Sequence, residues 1–193
     1  MASREETPSF EFVPLCGPIK RDGFRCTNPE INSWFKRRAL KQHDSGLVRV
    51  TCAVDPDAPL RPLSFFALAT VAEETSKLPG VYHPFGKAAH FSALQLVWLA
   101  TDEAFERRGF GTIMVGSIIR RFAEIGPEIG LPHMIVVPAR ENRDRLIEFY
   151  SGMGFEPYKD GEAMFLSVQA AVDTVSRVKA QLERDDVTTT RSC

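Results

Sequence analysis

The sequence has almost no net charge: 24 Lys plus Arg stand against 25 Asp plus Glu in 193 residues, a formal charge of −1. A surface built throughout for polyanions is therefore excluded, and any basic face must be local. Cysteine is scarce. The four thiols, Cys16, Cys26, Cys52 and Cys193, form no C-x-x-C pair, and no histidine lies close enough in sequence to complete a zinc pattern. A reduced, metal-free interior is expected. The polar opening MASREETPS carries two glutamates and is no secretory signal, and no apolar run approaches the roughly 18 residues that span a bilayer. The expectation is a cytoplasmic protein with no membrane partner. His43, His83, His90 and His133 share no ligand or triad spacing, and no G-x-S-x-G surrounds a serine, which argues against covalent catalysis.

What is present is an ordinary globular composition, 44 % hydrophobic and 25 % charged. The length fits one domain with an appendage and suffices to bury most of its apolar surface. Residues 1–9 read as a disordered tail and 10–15 as a strand start. Asn28 at an N-cap, Pro29 at the first helical position and Glu30 in the first turn open a helix. Ile31, Trp34, Phe35 and Ala39 form its apolar face, and Lys36, Arg37, Arg38 and Lys41 its basic one. Leu47–Val54 and Leu63–Ala72 read as antiparallel strands around the turn Asp55–Pro59, and 73–92 as a long loop.

Leu94–Thr101 reads as a buried strand. It runs into Asp102-Glu103-Ala104-Phe105-Glu106-Arg107-Arg108-Gly109-Phe110-Gly111-Thr112, then a helix carrying Ile113, Met114, Ile118, Phe122 and Ile125 and stopped by Gly126-Pro127. A glycine-bearing turn between strand and helix lets a phosphate approach unpaired amides at the positive end of the helix dipole. Gly109 and Gly111 give that access, and Arg107 and Arg108 add charge. The stretch lacks G-K-[ST], and Met114 breaks G-x-G-x-x-G, so nucleotide hydrolysis loses support. A strand at Met134–Val137 ends at Pro138. Asn142 caps a helix with Leu146, Phe149, Tyr150 and Met153 on one face, and Ala163–Val168 is the last strand. Val168, Ala171, Val175, Val178 and Leu182 mark an amphipathic helix over 169–185, which either packs on its own domain or makes a dimer contact. Residues 186–193 read as a second disordered tail.

The stretch LVWLATDEAFERRGFGT, followed by ENRDRLIEFYSGMGFEPY, resembles the acyl-coenzyme A signature of the GNAT acetyltransferases. In the N-terminal half, Asp22, Phe24 and Cys26, then Asn32-Ser33-Trp34, Ala39 and Gln42, resemble the opening of the tRNA-acetylating toxins of bacterial toxin–antitoxin systems, the TacT- and AtaT-like group. Departures are Glu106 where the family has Gln or Arg, Thr27 where it has Gly, and Trp98 where Arg is frequent. The resemblance implies an α/β (α+β) GNAT fold over 10–168, a mixed, mostly antiparallel sheet flanked by helices, with the C-terminal helix extra.

The resemblance further implies an N-acetyltransferase that moves acetyl from acetyl-CoA to a primary amine, the α-amine of aminoacyl-tRNA, and so blocks translation. Acetyl-CoA binding then falls to Leu99, Ala100, Thr101, Arg107, Arg108, Gly109, Phe110, Gly111, Thr112 and Asn142, with no metal. Tyr150 takes the role of acid to the leaving thiolate, although an aromatic on an apolar helix face is also an ordinary core residue. Lys36, Arg37, Arg38 and Lys41, with Arg140, are the tRNA-binding candidates; Arg120, Arg121, Arg143 and Arg145 are further cations. A ribbon-helix-helix antitoxin and a homodimer are the implied protein partners. The alternatives are a small-molecule or protein amine as acceptor, and a catalytically silent CoA-binding regulatory module.

Overall fold

The computed structural model describes residues 9–79 and 90–190, with 183–190 described by backbone alone. The N-terminal tail apart from Ser9, the middle of the expected 73–92 loop and the last three residues lie outside that range. Among the described residues the α-helices and strands follow in this order: β1 (Glu11–Pro14), α1 (Pro29–Arg37), α2 (Ala39–Asp44), β2 (Arg49–Asp55), β3 (Ala58–Glu74), β4 (His90–Thr101), α3 (Phe110–Ile129), β5 (His133–Val136), α4 (Arg143–Gly152), β6 (Glu156–Pro157), β7 (Met164–Ser167) and α5 (Val168–Thr190). The strands form one sheet in the order β1-β2-β3-β4-β5-β7-β6. β1–β2, β2–β3, β5–β7 and β6–β7 pair antiparallel. The expected mixed, mostly antiparallel sheet with flanking helices is therefore present.

The described chain divides into two compact units, one holding residues up to Thr70 with Gln95–Val115, the other Val71–Leu94 with the residues from Gly116 on. In the first, Asn28 caps α1 by accepting from the amides of Glu30 and Ile31, and Pro29 follows at N1. The expected continuous helix breaks at Arg38, whose φ of −121° ends α1 before α2 starts. The buried face carries Phe35, whose ring stacks on Phe65 of β3 at 3.9 Å between centroids, with Phe24 edge-on to both.

The second unit centres on Leu78, Phe91, Ile135, Tyr158 and Phe165. Here α3 does not stop at Gly126-Pro127: it runs to Ile129 and closes with Gly130 at φ +70° and a Leu131 amide to Gly126 carbonyl bond. Proline removes one donor near the helix end without breaking the turn. Gly126 is needed for another reason, since a Cβ there would meet Val168 Cγ2 at 2.8 Å. α5 extends five residues beyond the expected boundary at 185, because no Gly or Pro follows Asp185 to stop it, and the expected tail 186–193 is helical as far as Thr190. Its seam is half covered: Ala171 is buried, while Val178 and Leu182 face solvent.

Candidate functional site

In the first unit, β4 ends in Leu99, Ala100 and Thr101. Leu99 and Thr101 are half-buried on one face and Ala100 is buried on the other. The Ser64 hydroxyl of β3 donates to the Ala100 carbonyl at 2.8 Å and lies 3.1 Å from the Thr101 hydroxyl, so the strand end is held from the side. Asp102 then turns the chain. Its amide donates to the Leu63 carbonyl, and its buried carboxylate accepts from the amides of Arg25 and Ala104 at 2.9 and 3.1 Å. Asp102 thus caps the short 3-10 turn Glu103–Phe105 and is occupied structurally.

The next residues form the approach to α3. Arg107 and Gly109 both have left-handed backbones, φ 62° and 83°, a conformation that costs a residue with a Cβ about 1–2 kcal/mol. The first intrahelical bond of α3 runs from the Ile113 amide to the Gly109 carbonyl, so the amides of Phe110, Gly111 and Thr112 have no acceptor within the helix. Phe110 is buried and packs on Phe10, which anchors the turn. Glu106, Arg107 and Thr112 are exposed.

In the second unit, α4 carries Tyr150, buried between Phe149 and Phe155 at ring distances of 5.1 and 5.6 Å. Burial pushes its hydroxyl up to about 12, so it remains protonated at neutral pH. Asn142 precedes α4 at φ 63° and its side chain makes no capping bond, contrary to the expected cap; its exposed amide is left to other partners. The helix start is tied instead by Arg143, whose guanidinium donates to the carbonyls of Pro138, Gly161 and Glu162. A groove of about 460 Å³ lies there, lined by Val137, Pro138, Arg140, Arg143, Asp160, Gly161 and Glu162.

Of the basic candidates, Arg37 of α1, Arg38 at the break and Lys41 of α2 are exposed, and Lys36 of α1 is half-buried. Arg140 is exposed but shares its groove with two carboxylates. Arg143 is committed to backbone carbonyls and is withdrawn as a free surface cation. Among the described residues no group of three or more His, Cys, Asp or Glu could hold a metal, and no helix is long and apolar enough to cross a membrane.

No family model matches the chain. Solved structures do. A tyrosine-to-phenylalanine mutant of KacT superposes with a TM-score of 0.77 at 19 % identity, over 86 % of this chain and 98 % of that one. AtaT complexed with acetyl-methionyl-tRNAfMet superposes at 0.75 and 17 %, over 84 % and 96 %. A tyrosine-to-phenylalanine mutant of the AtaT toxin, bound to acetyl-CoA and the C-terminus of the antitoxin AtaR, gives 0.70 and 17 %, over 84 % and 95 %. The chain has the GNAT fold of these toxins.

Within this GNAT fold, several residues of the N-terminal motif prove to be structural. Asn32 exchanges two hydrogen bonds with the backbone of Cys26, and the Trp34 indole donates to Gln42. Two features had no sequence signal. Arg143 lies 18 residues from Gly161, too far for any local pattern, and Arg61 of β3 places its guanidinium carbon 5.0 Å from the ring centroid of Phe105.

Proposed function

We propose that this chain is an acetyl-CoA-dependent N-acetyltransferase whose acceptor is the α-amine of aminoacyl-tRNA, and that it acts as a toxin against translation. The observation that carries the reading is the left-handed turn through Arg107 and Gly109, which leaves the first amides of α3 without helical acceptors at the end of a GNAT-type β4. Such amides suit a diphosphate. Arg107, Arg108, Gly109, Phe110, Gly111 and Thr112 hold it, while Leu99, Ala100 and Thr101 carry the pantetheine arm and Asn142 adds a polar contact.

The chemistry needs few groups. The amine nitrogen attacks the thioester carbon, an N–H at Leu99 stabilises the oxyanion, and the C–S bond breaks as the C–N bond forms. Tyr150 gives its proton to the departing thiolate and recovers one from the amine through solvent. Burial raises its pKa to about 12, so the hydroxyl carries its proton at neutral pH as any tyrosine does, and the role rests on the position of Tyr150 in the motif. An α-amine titrates near 7.7–8.0, against about 10.4 for a lysine side chain, so a dedicated base is unnecessary.

The exposed cations Arg37, Arg38 and Lys41, with Lys36 beside them, offer contacts for tRNA phosphates, and Arg140 is a further candidate. AtaT is a structural neighbour bound to acetyl-methionyl-tRNAfMet, and another AtaT structure includes an antitoxin segment. They support an aminoacyl-tRNA acceptor and an antitoxin partner for this chain; we take that antitoxin to be of ribbon-helix-helix type and place the chain in the cytoplasm as a homodimer. Thiol release from acetyl-CoA with charged tRNA, deacylated tRNA, polyamines and free amino acids tests the reading. Release with charged tRNA alone supports it. Release with the small amines instead makes them the acceptor, and tight CoA binding with no release identifies a silent module.

A further inference from the structure

Asp102 divides its two carboxylate oxygens between two tasks. Oδ1 accepts from the Ala104 amide at 3.1 Å and caps the short turn Glu103–Phe105. Oδ2 accepts from the amide of Arg25 at 2.9 Å, 77 residues earlier in the chain. A cap needs one acceptor, and Asn or Ser supplies it without charge. Burying a carboxylate, here 9 % exposed, costs desolvation that a neutral cap avoids, so capping alone does not account for Asp102.

The Arg25 carbonyl is held as well, by the amide of Glu103 at 2.8 Å. At the next residue the Asn32 side chain of α1 donates to the Cys26 carbonyl and accepts from the Cys26 amide. Every backbone polar group of Arg25 and Cys26 is therefore bound, one pair to the exit of β4 and the other to the start of α1. Asp102 itself is fixed to β3 by the bond from its amide to the Leu63 carbonyl at 2.8 Å. Buried Phe24, edge-on to Phe35 of α1 and Phe65 of β3, keeps the segment from sliding. The result is a strut between β4 and α1 that lies wholly within the first unit.

We propose that Asp102 is a positioning residue for acetyl transfer to charged tRNA: through Arg25 it sets α1, which offers phosphate contacts, against β4, which carries the acyl donor. The inference rests on the aminoacyl-tRNA reading above. There Lys36 and Arg37 of α1 meet the acceptor, and Leu99, Ala100 and Thr101 of β4 hold the donor, so the two substrates sit on elements joined at Arg25. Asp102 touches neither substrate and acts through the strut. A misplacement of about 1 Å between reacting groups is enough to slow a reaction by about 100-fold, whereas donor affinity depends on β4 and on the amides that begin α3.

Two variants break the strut from opposite sides. Asp102→Asn keeps an oxygen for the Ala104 cap and turns a donor towards the Arg25 amide. Glu103→Pro keeps the carboxylate and removes the amide that holds the Arg25 carbonyl. Proline suits the first position of a helical turn, and Asp102, at ψ 139°, has the extended backbone that precedes a proline. With each full-length variant shown to be folded at the assay temperature by thermal melts, kcat/KM for charged tRNA is measured at saturating acetyl-CoA, and the Kd for acetyl-CoA by calorimetry. Both variants are expected to lose about tenfold or more in kcat/KM, while the Kd stays within about twofold of wild type. A purely structural role would move both quantities together or neither. Should Asp102→Asn fail to fold, Glu103→Pro alone decides. Wild-type transfer in either folded variant, or a parallel loss of acetyl-CoA affinity, overturns the proposal and leaves the aminoacyl-tRNA reading standing. A wild type that binds acetyl-CoA but acetylates no charged tRNA removes both.

Discussion

The Trp34 indole N–H donates to the Gln42 side-chain oxygen at 2.8 Å, across the break that separates α1 from α2. In an unbroken helix residues eight apart are separated by about 12 Å of rise, so the bend at Arg38 and this bond belong together. Trp34 also lies 5.9 Å from Trp98 and stacks on Phe65, which ties the bond to the core of the first unit.

Replacing Gln42 by Ala leaves that indole N–H without its partner and should lower stability by about 1 kcal/mol, read from the urea midpoint. Acetyl-CoA affinity should stay at the wild-type value. A large loss of affinity with unchanged stability would assign Gln42 to the ligand instead of to the helix break.

Tyr150→Phe removes one hydroxyl from a buried ring and keeps its contacts with Phe149 and Phe155. Turnover should fall by about 100-fold or more, the range of general acid catalysis, while the melting temperature and the Kd for acetyl-CoA change little. Unchanged turnover would return Tyr150 to the core.

His133 is 2 % exposed, edge-on to Phe91 and Phe165, and burial lowers its pKa from 6.5 to about 4. The unfolded chain therefore takes up a proton near pH 6.5 that the folded chain refuses until about pH 4. The contribution is complete above pH 6.5 and is lost as pH falls towards 4, up to about 3 kcal/mol in all. His133→Phe should flatten the fall in stability across this window relative to wild type, as followed by denaturant unfolding at each pH. Parallel curves for the two proteins would show that other groups carry the acid sensitivity.

Arg37→Glu with Arg38→Glu reverses two exposed charges far in the sequence from the phosphate loop. Acetylation of charged tRNA should drop and become less salt-dependent, with acetyl-CoA binding preserved. Equal tRNA activity at every salt concentration would assign the basic face to the solvent.

Much of the fold was legible because its signals are local. The Asn28–Pro29 cap, the strand–turn–helix through Gly109 and the apolar positions Met114, Ile118 and Phe122 all follow from spacing within a few residues. What sequence missed depends on distant neighbours. Gly126-Pro127 reads as a stop, but the packing of Gly126 against Val168 keeps it inside a helix, and Asn142 has the residue type of a cap with the backbone of a turn. Arg143 reads as a surface cation until the 158–163 segment supplies its carbonyls. Arg61 likewise gains meaning only when β3 brings it to Phe105.

The central claim is tested most directly by incubating the chain with radiolabelled acetyl-CoA and charged tRNA, digesting the RNA, and determining the mass of the terminal aminoacyl-adenosine. The account predicts a gain of one acetyl group on the α-nitrogen, in step with thiol release and greatly reduced for Tyr150→Phe. An unmodified aminoacyl-adenosine beside label on another amine, or no transfer at all, would contradict it.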